Sequence, residues 1–345
     1  MAKGKVRVGV IGTGRAGGIH AQNLAQRIPA ASLVALCDPD PVRLAETGER
    51  LGVTVRSADY AALIQREDIE AVVIVTPTSR HCEIACAAAR HGKHIFLEKP
   101  MALTPAECRD INAAVAAAGV KLQIGFMRRF DERFCRAKEV LASGELGRVM
   151  LIRSTGRGPG GPGPWMYDLR QSNGIVAEVN SHDLDTLRWL TGDEFARVYA
   201  QGRNFKCADA RAAWPDFYDT VLAQFTFRGE TLGVLDGACP AHYGYDARVE
   251  VLAEKGLLLI GAVEEPGFTK VTLDGRVQAQ AVRTWRTLFK DAYLAELEHF
   301  IACLQEDRTP AVTGEDGQRA VEAARAVNDS IRTGQPILIC QEALR

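Results

Sequence analysis

The chain has 345 residues, enough for two domains with a sizeable core, and a formal net charge of -1. Lysine and arginine are scattered rather than clustered, which excludes nucleic acid and an anionic membrane surface as expected partners. No apolar run reaches the ~18 residues of a spanning helix.

In chain order, an apolar strand is predicted over residues 6–11, and it breaks at once into Gly12-Thr13-Gly14-Arg15-Ala16-Gly17 ahead of a helix-compatible stretch. A second strand, 33–37, is closed by Asp38. Glycines at this spacing between a strand and a helix, with an acid after the next strand, suit a dinucleotide. Gly12 allows the turn, Gly14 lets a pyrophosphate approach, and Gly17 lets helix and strand pack closely. The helix start offers N–H groups and a positive dipole end, so Gly12, Thr13, Gly14, Arg15 and Ala16 are the expected phosphate cradle. Asp38 is expected to accept the ribose hydroxyls and to favour NAD over NADP, with Arg43 close enough to temper that preference.

The βα rhythm continues with strands at 71–75, 94–97 and 121–124 and helices at 41–51, 79–91 and 105–118, the last two closed by Gly92 and Gly119. The strands 71–75 and 94–97 are nearly unbroken apolar runs, as in a parallel sheet covered on both faces. Residues 1–125 therefore read as a doubly wound, Rossmann-type domain.

From residue 126 the pattern changes. A helix is predicted at 131–142, then period-two strands at 148–155, 198–204, 220–227, 231–236, 248–253 and 268–273, then helices at 292–305 and 315–333. The expectation for 126–345 is an α+β domain with a large, mainly antiparallel open sheet that binds substrate and oligomerises. Residues 156–164, rich in Gly and Pro, read as a loop.

The nine cysteines, an odd number without a CxxC pair, read as small buried hydrophobes. Cys82 and Cys86 sit four apart, a spacing that half a metal site shares with an ordinary buried helix face; no metal is expected. Met1–Lys5 runs straight into the first strand, leaving no room for a signal peptide. Reduced thiols and a cytoplasmic location follow as the default.

Three groups could do chemistry. Glu98-Lys99-Pro100 follows a parallel strand, where ligands of open α/β sheets bind, and Thr76-Pro77 ends another strand at the same edge. Glu178, His182 and Asp185 share one face if their stretch is helical, and an imidazole beside carboxylates can take a proton near neutral pH. A solvated polar face over buried Leu184, Leu187 and Leu190 is the competing reading. Arg128, in Gly125-Phe126-Met127-Arg128-Arg129-Phe130-Asp131, either donates to substrate hydroxyls or pairs with an acid.

The ordered set of Gly-Thr-Gly-x-x-Gly, Glu98-Lys99-Pro100, residues 125–131 and Glu178-x-x-x-His182-x-x-Asp185 resembles the Gfo/Idh/MocA oxidoreductases, most of all the inositol dehydrogenases. The resemblance runs over nearly the whole chain, including Val312-Thr313-Gly314-Glu315-Asp316-Gly317. It implies an NAD-dependent dehydrogenase moving a hydride between a secondary hydroxyl of a cyclic polyol or sugar and the nicotinamide. His182 and Lys99 would flank the hydroxyl, with Glu178 where these enzymes usually carry Asp. Arg128, Asp185 and Tyr245, with Tyr243 as rival, would line the substrate pocket. Asn180 and Trp165 lie in stretches that depart from the usual pattern, so they are expected to touch the pocket and to bear on which polyol is taken. The resemblance also implies a homo-oligomer, a dimer or tetramer, paired through the open sheet. Two other classes are an NAD-retaining enzyme that cleaves glycosidic bonds by transient oxidation and a dinucleotide-binding sensor without turnover.

Overall fold

Strand Ala71–Ile74 (β4) is buried at every position, and its side chains divide between two cores. Val72 and Ile74 belong to one cluster, Ala71 and Val73 to the other. That division is what a strand covered on both faces requires, and each fully buried Val or Ile contributes ~1.5–3 kcal/mol. The other strands of this sheet are Val6–Ile11 (β1), Ala31–Cys37 (β2), Val55–Ser57 (β3), His94–Glu98 (β5) and Leu122–Gly125 (β6). Their order is β3-β2-β1-β4-β5-β6, all pairs parallel. The order reverses between β1 and β4, which makes the carboxyl ends of those strands the crevice of the sheet. Helices Arg15–Gln26 (α1), Pro41–Leu51 (α2), Tyr60–Ile64 (α3), His81–Arg90 (α4) and Pro105–Ala118 (α5) connect the strands. Thr104 and Glu107 form a capping box that starts α5, and Gly119 ends it in the left-handed region at φ 64°.

A computed structural model describes residues 4–339 and divides the chain into two compact units. The first comprises Met1–Phe130 and Asp291–Val321, the second Asp131–Lys290 and Glu322–Arg345. The expected division at residue 125 is thus corrected in one respect: residues 291–321 return to the first unit. The cause is apolar burial. In helix Lys290–Glu306, Leu297, Phe300 and Ile301 join the cluster of Val8, Val10, Val73 and Phe96. Val312, Ala320 and Val321 join the cluster on the opposite face.

The second unit holds helix Glu132–Ala142 (α6) and a seven-stranded sheet of Val149–Arg157 (β7), Phe195–Arg203 (β8), Thr220–Phe227 (β9), Leu232–Ala238 (β10), Asp246–Ala253 (β11), Gly256–Ile260 (β12) and, as shown by its pairing, Ile337–Leu338. A separate ribbon pairs Glu264–Val271 (β13) with Val277–Ala281 (β14), so Ile337–Leu338 is β15. The large sheet is β12-β11-β7-β10-β9-β8-β15, antiparallel except for the parallel pair β7 and β10. Helices Leu169–Ser172 (α7), Gly174–Glu178 (α8), Ser181–Thr191 (α9) and Trp285–Leu288 (α10) follow in chain order, Lys290–Glu306 is α11, and Gly314–Thr333 (α12) belongs to this unit from Glu322 onward. Among the described residues no helix is long and apolar enough to cross a membrane.

Two local expectations change. The Gly/Pro stretch is not all loop, because β7 runs through Gly156 to Arg157. Gly156 is needed inside the strand: a Cβ there would lie 1.9 Å from an Asp183 carboxylate oxygen, so only glycine lets α9 come this close. Nor do Glu178, His182 and Asp185 share one helix. Glu178 ends α8, Val179 and Asn180 interrupt, and His182 and Asp185 belong to α9.

Candidate functional site

In the first unit, the glycine loop has the geometry of an anion cradle. Gly12 has φ 95°, and a Cβ on it would meet the Val75 carbonyl oxygen at 2.3 Å. A Cβ on Gly17 would meet the Gly12 carbonyl oxygen at 1.9 Å. In front of Gly14, by contrast, the nearest atom is the tip of Arg43 at 4.0 Å, which leaves room for a phosphate. Gly14 caps α1 without any side-chain cap bond, so the first-turn N–H groups face outward with Arg15 and Ala16. Asp38 follows β2 and is almost fully buried. Its Oδ2 accepts from the Thr13 amide at 2.7 Å and the Thr13 hydroxyl at 2.9 Å, and its Oδ1 accepts from the Asp40 amide at 2.9 Å. Arg43 lies 3.8 Å from Asp38 and 3.3 Å from Asp40. These features fit a dinucleotide with an unphosphorylated ribose: an uncapped helix start for phosphates and a fixed carboxylate beside it.

Lys99 follows β5 at the same sheet edge, half-buried. Thr76, half-buried, and Pro77, exposed, follow β4 there. Glu98, expected near the cofactor, turns its carboxylate inward. Oε1 lies 2.7 Å from His20 Nε2 and Oε2 accepts from the Lys99 amide at 3.1 Å. Glu296 of α11 is fully buried beside this pair, and its carboxyl is pushed well above the usual range by burial and by the charge of Glu98. His20, Glu98 and Glu296 offer donor atoms within 4.8 Å of one another, which could serve a cation or a shared proton. The 2.7 Å imidazole–carboxylate contact is a hydrogen bond. His20 and Glu296 escaped the sequence reading because each looks like an isolated polar residue in an amphipathic helix.

Arg128 is buried in the turn Met127–Phe130, and its neighbour Arg129 pairs with Asp316 at 3.0 Å. The segment around Gly314 packs into the same unit: the Val312 carbonyl accepts from the Ile124 amide at 3.1 Å. Burial pushes the Cys82 thiol up to about 12 and raises the Cys86 thiol as well. No disulfide joins the cysteines among the described residues; Cys340 lies outside them.

In the second unit, α9 is fixed to the sheet by buried polar groups. Asp183 accepts from the Ser154 hydroxyl at 2.7 Å and from Asn180 Nδ2 at 2.8 Å. The same Asn180 nitrogen donates to the Gly156 carbonyl at 2.8 Å. Asn180, expected to touch substrate, is completely buried and its amide hydrogens are committed, so it anchors the turn before His182. The Thr186 hydroxyl donates to the His182 carbonyl at 2.6 Å and steadies that turn further. His182 and Asp185 are nearly buried, and Leu184, Leu187 and Leu190 face the core as expected. Glu178 is half-buried at the end of α8.

Tyr245 is buried with its ring edge-on to Phe289, whereas Tyr243 is 42% exposed. The Tyr243 hydroxyl donates to Asp246 at 2.6 Å and accepts from Arg157 at 3.2 Å, and Arg157 also pairs with Asp236. Burial alone would raise Asp246, but hydrogen bonds from Arg248 and Tyr243 hold it below the usual carboxylate range. Trp165 stands half-exposed in the turn Pro164–Met166.

Comparison with known proteins matches both units. Residues 6–126 fit the model described as oxidoreductase family, NAD-binding Rossmann fold, and residues 134–259 fit the GFO/IDH/MocA C-terminal domain. The chain is 34% identical to scyllo-inositol 2-dehydrogenase (NAD(+)) of Bacillus subtilis, covering 96% of each chain. It is 35% identical to myo-inositol 2-dehydrogenase of Thermotoga maritima over 94% of this chain and 96% of that one. The crystal structure of scyllo-inositol dehydrogenase from Lactobacillus casei with bound NAD(H) and scyllo-inositol superposes with a TM-score of 0.89 at 28% identity, covering 98% of this chain and 100% of that one. With its glycine cradle, its fixed Asp38 and these full-length matches, the chain is an NAD-dependent oxidoreductase and belongs to the Gfo/Idh/MocA family.

Proposed function

We propose that this protein reversibly oxidises one secondary hydroxyl of a cyclic polyol or sugar of the inositol kind. The observation that carries the reading is similarity to scyllo- and myo-inositol dehydrogenases over more than nine-tenths of each chain, none of it confined to the nucleotide-binding half. Bound NAD supplies the hydride acceptor. Gly12, Thr13, Gly14, Arg15 and Ala16 hold its phosphates, Asp38 its adenosine ribose in preference to a 2′-phosphate, and Thr76, Pro77 and the Glu98–Lys99 segment border it. His182 takes the hydroxyl proton as general base, and Lys99 donates a hydrogen bond to the oxygen as charge develops there. Glu178 and Asp185 orient the base, Arg128, Tyr245 and Trp165 face the polyol, and Asn180 acts through the placement of His182.

The protein acts as a homo-oligomer, a dimer or tetramer. Leu222, Leu232, Leu252, Leu257 and Leu259 are exposed along the strands of the large sheet in the single chain, a surface that a second copy would bury. A cytoplasmic location fits the cysteines of the described residues, which form no disulfide.

The test is formation of reduced nicotinamide by purified protein with NAD, NADP in parallel, across myo-inositol, scyllo-inositol, glucose and sugar acids. Turnover with a cyclic polyol or sugar is expected, and Lys99→Ala and His182→Ala should each lower kcat by about 10²–10⁴-fold. Silence across the panel from folded, NAD-binding protein would overturn the reading, and a preference for NADP would overturn the role of Asp38.

A further inference from the structure

The imidazole of His81, the first residue of α4, is 1% exposed and lies between two carbonyl oxygens. Nδ1 is 2.8 Å from the Pro100 oxygen and Nε2 is 2.9 Å from the Thr76 oxygen. Both are hydrogen-bond distances, and carbonyl oxygens only accept. We propose that His81 is a positioning residue for Lys99: its ring is held between the carbonyl one residue beyond Lys99 and the Thr76 carbonyl, two residues past β4, and so fixes where the Lys99 backbone lies. This rests on the reading that Lys99 donates to the substrate oxygen.

The other side of Lys99 is held as well. Its amide donates to Glu98 Oε2, and Glu98 is bound by His20. The lysine backbone is therefore held before and after by two buried histidines, one through the Glu98 carboxylate and one through the Pro100 carbonyl. A neutral ring has a single N–H and can serve one carbonyl, whereas the imidazolium serves both. On balance the His81 pKa is lowered: burial drives the proton off and the charge of Lys99 acts with it, against the Pro100 and Thr76 carbonyls and the charge of Glu98, so the ring is neutral and donates to one carbonyl at a time. The charged groups felt by the ring are thus Glu98 from β5 and Lys99 itself. The connection is covalently short, so a loosened Pro100 carbonyl moves the lysine with it. A misplacement on the order of 1 Å can cost about a hundredfold in rate.

The experiment is a double-mutant cycle on the full-length enzyme with the best polyol of the panel. His81→Phe keeps an aromatic ring but removes both ring nitrogens. The expected result is a fall in kcat of about 10–100-fold, with KM for the polyol and Kd for NAD within about threefold of wild type. His81→Gln, which keeps one donor, should recover part of the loss and displace the pH profile of kcat. If His81→Phe yields no folded protein, His81→Gln carries the cycle. In a Lys99→Ala background either change should have no further effect, because His81 acts through Lys99. Wild-type kcat in the folded variant would overturn the proposal. So would a loss confined to thermal stability or NAD affinity, or a loss that persists undiminished in the Lys99→Ala background. If Lys99→Ala alone keeps full turnover, the role of Lys99 fails first, and the role of His81 falls with it.

Discussion

The two sheets solve burial in different ways. In the first unit, β4, β5 and β6 are buried almost throughout, because helices and the returning segment 291–321 cover both faces. In the second, β9 alternates buried and exposed residues along its length, and Leu222 on its open side remains 49% exposed. A sheet covered twice leaves only its strand ends for function, so the cradle, Thr76 and Lys99 all gather at one edge. A sheet covered once can present a broad face, and its buried face anchors α9 instead through Ser154, Gly156 and Asp183.

The contrast is most sharply tested by glycines. Gly17→Ala places a Cβ against the Gly12 carbonyl, a main-chain atom with nowhere to go. NAD affinity should fall by about 100-fold or more, or the first unit should fail to fold; fluorescence titration reads the affinity. Wild-type binding would mean that the close approach of α1 to β1 is dispensable.

In the second unit, Asp183→Ala deprives the Ser154 hydroxyl and Asn180 amide of their buried acceptor. Stability should drop by ~2–4 kcal/mol, read as a lower thermal midpoint, with faster hydrogen exchange confined to α9 and β7 and NAD affinity kept. Loss of NAD affinity instead would overturn the assignment of Asp183 to the anchoring of α9.

The open face is next. Under the proposed pairing through this face, charges at Leu222 and Leu257 (L222K with L257K) should leave only monomer by light scattering, because like charges would then meet across an apolar contact. An unchanged mass would place the interface elsewhere.

The smallest effect concerns pH. His94 lies on β5 with Nδ1 accepting from the Lys121 amide at 3.0 Å, and burial, then the charge of Lys121, lowers its pKa. A histidine whose folded pKa is depressed contributes stability above its unfolded value of about 6.5, and loses it as pH falls from there through the folded value. The thermal midpoint should therefore decline below about pH 6.5, and His94→Gln should flatten that slope by roughly 1–2 °C. An identical slope in the variant would remove His94 from the account.

Much of this was legible in the sequence. The strand at 6–11, the glycine loop and Asp38 announce themselves because backbone chemistry ties glycine to tight turns. The alternation at 220–227 announces a half-covered strand in the same way. Short elements such as β3, and β12 with its unbroken Gly-Leu-Leu-Leu-Ile, carry no period to read. His81, His20 and Glu296 carry none either, since one polar residue on a helix looks the same whether it faces water or a buried carbonyl.

By itself, then, the sequence determined the elements, their parallel or alternating character and the cradle, because these depend on local geometry and on which side chains avoid water. Only the tertiary structure decided that residues 291–321 complete the first core, that α8 and α9 break between Glu178 and His182, and that Asn180 anchors rather than presents. Those outcomes turn on which distant polar groups find partners once water is gone, and no spacing along the chain records that.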